Sequence, residues 1–130
     1  MNYVHIIAVL AILQFFHFGI MVGRARGKYG VHAPATSGHE GFDRAYRVQM
    51  NTLEQIVGFL PALLLASLYW PNVIIAGIGV VYLIGRFLYR RSYVANPASR
   101  ALGFALTVIP TFVLLLAVLV GIGMRFASAG

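Results

Sequence analysis

The run Phe42-Asp43-Arg44-Ala45-Tyr46-Arg47-Val48-Gln49-Met50-Asn51-Thr52-Leu53-Glu54-Gln55-Ile56-Val57-Gly58-Phe59-Leu60-Pro61 decides how the chain is read. A basic entrance passes into an apolar stretch that still carries Arg47, Asn51 and Glu54. Those positions are i, i+4 and i+7, so a helix places them on one face. An arginine or an acid inside a membrane span costs about 2.5–3.5 kcal/mol on insertion scales. Such groups are kept for a site or for a contact between helices.

The surrounding composition supports a membrane setting. The chain has 130 residues, of which 60% are hydrophobic and 10% charged. A soluble domain carries roughly a quarter charged residues. Four apolar stretches are long enough to cross about 30 Å of hydrocarbon at 1.5 Å per residue. They lie near Tyr3–Val22, Tyr46–Tyr69, Val73–Tyr93 and Pro97–Met124. The expected fold is an all-α integral membrane protein, a single four-transmembrane-helix bundle over residues 1–130. The first stretch has no basic leader and no small-residue cleavage site, so it reads as a span rather than a signal peptide. Arg24 to Asp43 reads as a polar loop, and Trp70-Pro71-Asn72 as a tight turn. Asn96-Pro97 reads as a cap followed by proline at the first helical position. Pro61 and Pro110 should bend their helices, and Gly77, Gly79, Gly85 and Gly103 should permit close packing.

Charge placement gives the topology. The formal charge is +7. Arg24, Arg26, Lys28, Arg44, Arg47, Arg86, Arg90, Arg91 and Arg100 border the first and third loops; Arg125 alone lies at the other side. The positive-inside rule puts those two loops in the cytoplasm. The basic groups sit at the ends of apolar spans, where lipid headgroups or an anionic substrate are better partners than nucleic acid. The short loops point to a bacterial inner membrane.

The polar residues of three spans converge at this basic side. Arg86, Tyr89 and Tyr93 lie at i, i+3 and i+7 on span three, and Arg100 opens span four. A pocket lined by Arg47, Asn51, Glu54, Arg86, Tyr89, Tyr93 and Arg100 would be positive with one acid inside. It suits a small anion that also carries an ammonium group: arginines hold carboxylates, and Glu54 holds the amine. Arg100 beside a helix N-terminus would lower the pKa of a thiol placed there. The chain has no cysteine, so such a thiol must belong to a ligand. His5, His17, His32 and His39 fit no metal-ligand spacing, so no metal is expected.

These residues match a family. The run Phe42–Glu54 resembles the signature of the MAPEG family, the membrane-associated proteins in eicosanoid and glutathione metabolism. The resemblance takes in Ala25-Arg26-Gly27-Lys28-Tyr29, the run Arg86-Phe87-Leu88-Tyr89-Arg90-Arg91-Ser92-Tyr93, and Arg100. It implies a homotrimer of four-helix subunits with glutathione, as co-substrate, between neighbours. By this likeness Arg47, Gln49, Asn51 and Glu54 bind glutathione from one subunit. Arg26, Arg86, Tyr89, Tyr93 and Arg100 complete the site, some from the neighbour. Arg100 is the implied thiolate stabiliser, and a lipophilic electrophile or hydroperoxide arrives from the bilayer. Gln55 stands where several members of the family have an aromatic residue, and Gly27 where the leukotriene-forming member has a second arginine; both depart from the leukotriene-specific pattern. The resemblance therefore implies a general glutathione transferase or peroxidase. Two alternatives remain open from the residues: a lipid-binding scaffold of the same fold, and a small proton-coupled multidrug transporter using Glu54.

Overall fold

The computed structural model describes residues 2–129. Four helices follow one another: α1 (Tyr3–Tyr29), α2 (Glu40–Ala66), α3 (Asn72–Ala95) and α4 (Ala101–Ala129). Each is long and apolar enough to cross a membrane. A 3₁₀ turn, Pro97–Ser99, joins α3 to α4. Successive helices alternate in direction. The C-terminal ends of α1 and α3 therefore lie with the N-terminal ends of α2 and α4.

The helices run past the apolar stretches at this end, for identifiable reasons. α1 continues to Tyr29 and stops at Gly30, whose φ of 68° is the left-handed conformation glycine adopts without strain. The amides of Gly30 and Val31 donate to the Arg26 carbonyl oxygen, and Arg26 and Lys28 complement the negative end of the helix. α2 begins at Glu40, six residues before Tyr46. His39 Nδ1 accepts from the Gly41 amide at 3.0 Å, and Glu40 and Asp43 lie in the first turn. Glu40 also pairs with Arg44 one turn on. The expected loop of residues 24–43 shrinks accordingly to 30–39.

The third connection also differs from expectation. Asn96 Oδ1 accepts from the Ala98 amide at 3.2 Å, so Asn96 caps the 3₁₀ turn rather than α4. Arg100 is consequently the residue before α4, and its carbonyl oxygen accepts from the Phe104 amide at 3.0 Å. Arg44 Nη1 reaches across from α2 and donates to the Val94 and Ala95 carbonyl oxygens at 3.0 and 3.2 Å. That satisfies two of the carbonyls a helix end leaves free and ties α2 to the end of α3.

The core fills the half of the bundle away from the basic end. Val4, Ile7, Phe59, Leu63, Ile75, Tyr82 and Leu114 are buried together there, and Phe59 stacks on Tyr82. Towards the basic end α3 and α4 approach closely. A Cβ on Gly85 would lie 2.6 Å from the Leu106 carbonyl carbon, and one on Gly103 would overlap the Tyr89 backbone. Gly79 faces Ile7, whereas Gly77 has open space beside it and makes no such contact within the chain. Pro61 and Pro110 lie inside α2 and α4 without ending either helix. Many large apolar side chains remain exposed along all four helices, among them Phe16, Val57, Ile84, Phe112 and Leu119. In a bilayer such faces meet lipid or a neighbouring helix at no hydrophobic penalty.

Candidate active site

A cavity of about 640 Å³ opens at the basic end between α2, α3 and the start of α4. Helical periodicity delivers Arg47 and Asn51 from α2 and Tyr89 and Tyr93 from α3. Arg100, Ala101 and Phe104 form the third wall. Tyr89 and Tyr93 also join an apolar cluster with the buried Phe18 and Val48.

The aromatic wall is ordered by stacking. The rings of Tyr89 and Tyr93 lie 5.5 Å apart at 18°, and Phe104 meets Tyr89 at 6.3 Å. Gly103 makes this possible, because a side chain there would displace the Tyr89 backbone.

The cationic groups retain capacity for a ligand. Arg47 Nη2 lies 3.9 Å from Glu54 Oε1, with both side chains more than half exposed. Such a pair is weak and yields readily to a better partner. Arg100 is exposed and donates one hydrogen bond, to the Pro97 carbonyl oxygen at 2.8 Å. A guanidinium has five donors, so most of its capacity stays open. Arg100 immediately precedes α4, whose first amides have no partner within the helix. The helix dipole and the guanidinium thus favour negative charge at one place. Asn51 Oδ1 is buried and has no hydrogen-bond partner among the described residues. An acceptor left in this way is open to an N–H donor on a bound molecule or to water.

The structure brings together five of the positions expected from sequence: Arg47, Asn51, Tyr89, Tyr93 and Arg100. Glu54 joins them at one remove, through Arg47. Three others lie elsewhere. Arg26 donates to the Ala35 carbonyl oxygen at 2.7 Å and stacks over Phe42 at 4.7 Å, so it braces the loop of residues 30–39. Gln49 packs against α1, its amide nitrogen lying over Gly19. Arg86 is fully buried behind Tyr89 rather than in the cavity wall. It lies one turn deeper than Tyr89, where α2 and α4 close over it.

Sequence reasoning missed the residues that hold Arg86. Its Nη2 donates to Thr52 Oγ1 at 2.8 Å and its Nη1 to Thr107 Oγ1 at 3.3 Å. The available signal was a threonine within the apolar part of each of two helices, Thr52 on α2 and Thr107 on α4, at a depth matching the arginine. Among the described residues no cluster of His, Cys, Asp or Glu is arranged to hold a metal ion.

The profile of the MAPEG family matches residues 4–120. The chain belongs to the MAPEG family. Among curated relatives, an uncharacterised Synechocystis protein is 44% identical over 117 residues, covering 90% of this chain and 85% of its own length. Human microsomal glutathione S-transferase 2 is 36% identical over 101 residues, covering 78% of this chain and 69% of its own. Guinea-pig leukotriene C4 synthase is 34% identical over 94 residues, covering 72% and 63%. As a MAPEG member with four helices of spanning length, the protein is an integral, multi-pass membrane protein. The MAPEG match takes in every residue of the cavity.

Proposed function

We propose that this protein is a membrane-bound glutathione transferase that also reduces lipid hydroperoxides. The observation carrying the reading is the cavity in which Arg47, Asn51, Tyr89, Tyr93 and Arg100 meet at the start of α4. Its volume falls within the roughly 300–1,000 Å³ of small-molecule clefts. Relatives named microsomal glutathione S-transferase 2 and leukotriene C4 synthase support glutathione as the ligand.

Glutathione presents two carboxylates, one ammonium, two peptide N–H groups and a thiol. Arg47 pairs with a carboxylate, giving up its weak contact with Glu54. Glu54 then takes the ammonium. Asn51 Oδ1 accepts a peptide N–H, and Tyr93 donates from its hydroxyl. Arg100 and the α4 amides stabilise the thiolate. In transfer, the thiolate forms a C–S bond with a lipophilic electrophile whose leaving group departs with its electron pair. In peroxide reduction, the thiolate attacks the terminal oxygen, the O–O bond breaks, and the alkoxide takes a proton to give the alcohol. A second glutathione converts the sulfenic acid to glutathione disulfide and water. The chain contributes thiol activation and proximity.

Assembly as a homotrimer, covering part of the exposed apolar faces, belongs to the same reading and is checked by native mass spectrometry. So does an inner-membrane orientation with the basic end in the cytoplasm. The chain lacks cysteine, so Ser99→Cys and Ser128→Cys can be labelled singly from either side of sealed vesicles.

The deciding experiment titrates the detergent-solubilised protein with glutathione and follows ultraviolet thiolate absorbance, alongside conjugation of an aryl halide and reduction of a hydroperoxide. A thiolate band with either activity is expected. Lipid binding without glutathione affinity would return the chain to a scaffold role. Proton-coupled efflux abolished by Glu54→Gln would point to a transporter.

A further inference from the structure

Arg86 occupies a position that packing alone does not account for. It is fully buried, at 0% exposure, inside a helix that spans the membrane. A guanidinium keeps its proton under such conditions. No carboxylate cancels the charge among the described residues. The partners are the Thr52 and Thr107 hydroxyls and the face of the Tyr89 ring, 4.4 Å from the guanidinium carbon. The three acids of the chain all lie on α2: Glu40 and Asp43 in its first turn, and Glu54, whose side chain is 60% exposed and faces Arg47.

The hydroxyls are set up as acceptors. Thr52 Oγ1 donates its own proton to the Val48 carbonyl oxygen at 2.7 Å, and Thr107 Oγ1 to the Gly103 carbonyl oxygen at 2.8 Å. Each hydroxyl hydrogen is thereby engaged along its helix, which leaves lone pairs for the guanidinium. One cation therefore joins α2, α3 and α4 directly behind the ring that forms the cavity wall. A neutral side chain of similar volume would fill the space without the desolvation that a buried charge brings. The charge also acts in a low-dielectric setting with little screening, unlike those of the exposed Arg47 and Arg100.

We propose that Arg86 is a positioning residue of the cavity: a buried, uncompensated cation that fixes Tyr89 from behind and biases the cavity toward anions, the glutathione thiolate included. This rests on the glutathione reading above. Arg86 touches no substrate; it acts through Tyr89 and through its field.

The test compares full-length wild type, Arg86→Met and Arg86→Lys in detergent, following ultraviolet absorbance of bound glutathione against pH. The midpoint of thiol ionisation should rise in Arg86→Met, by on the order of one pH unit for loss of a nearby, poorly screened charge. Arg86→Lys should restore most of the shift. A role limited to packing would lower thermal stability and leave the midpoint of the folded, glutathione-bound fraction where it was. If Arg86→Met does not fold, Arg86→Gln replaces it, keeping hydrogen-bond donors for the threonines without the charge. A midpoint identical to wild type in the charge-free variant overturns the inference while glutathione binding stands. Absence of any thiolate signal in wild type sinks the glutathione reading, and this inference with it.

Discussion

The two ends of the bundle use arginine differently. At the far end Arg125 lies against its own chain: Nη2 donates to the Leu68 carbonyl oxygen at 2.7 Å and the guanidinium face covers the Tyr69 ring at 4.3 Å. Trp70 Nε1 beside it donates to the Ala117 carbonyl oxygen at 2.8 Å. At the basic end Arg100 makes one hydrogen bond, and Arg47 meets only a distant carboxylate. A guanidinium laid against a ring or carbonyls of another segment ties the chain together, as Arg125 does here and as Arg44 does at the basic end through the Val94 and Ala95 carbonyl oxygens. A guanidinium left with free donors over a polar cavity is available to a ligand. The residue type is the same at both ends; the partners separate structure from site.

That contrast breaks most sharply at Arg100. Replacing it with alanine should lower kcat/KM for aryl-halide conjugation by about 10²–10³-fold, the scale of losing one preorganised charge-stabilising donor. A steady-state assay that finds Arg100→Ala within a few-fold of wild type would remove Arg100 from thiol activation. Arg47→Ala comes next. Loss of a charge-assisted hydrogen bond to a carboxylate, about 1.5–3 kcal/mol, weakens glutathione by roughly tenfold to a hundredfold in calorimetric titration. Unaltered affinity would leave Arg47 as the partner of Glu54 alone.

Gly103→Ala sharpens the comparison from the backbone side. The added methyl overlaps the Tyr89 backbone, so α3 and α4 must separate. Destabilisation of about 1–3 kcal/mol is expected from overpacking, with a lower melting temperature and weaker glutathione binding together. If the melting temperature and affinity hold, the close approach has no part in shaping the cavity. The smallest effect belongs to Arg125→Ala. It should reduce thermal stability by about 1 kcal/mol or less, from an exposed cation–π contact, and leave glutathione affinity intact. A fall in affinity there would show that the two ends are coupled.

Much of the basic end is legible in the sequence. Arg47 and Asn51 were placed on one face by a spacing that any α-helix enforces, and they do share a cavity wall. Tyr89 and Tyr93 follow the same rule. Arg86 obeys the rule too, yet leaves the cavity, because periodicity assigns a face and says nothing of depth. The helix ends were less legible for another reason. Hydropathy marks where apolar residues stop, whereas helices stop where caps are found. His39, Gly30 and Asn96 moved those ends outward or split them. Gln49 and Arg26 show the remaining gap: each lies near the right end of its helix, but a neighbouring segment of the chain already engages it.

Sequence by itself determined the four spanning helices, the concentration of cations at one end and the polar face of α2. These follow from local composition and from the 3.6-residue repeat, which need no neighbour. Only the tertiary structure decided which arginines keep free donors, which one is sealed behind Tyr89 by two threonines, and that Arg100 stands just before α4. Those outcomes depend on how closely α3 meets α4 and on where the third connection turns. Both are set by contacts between residues far apart in the chain.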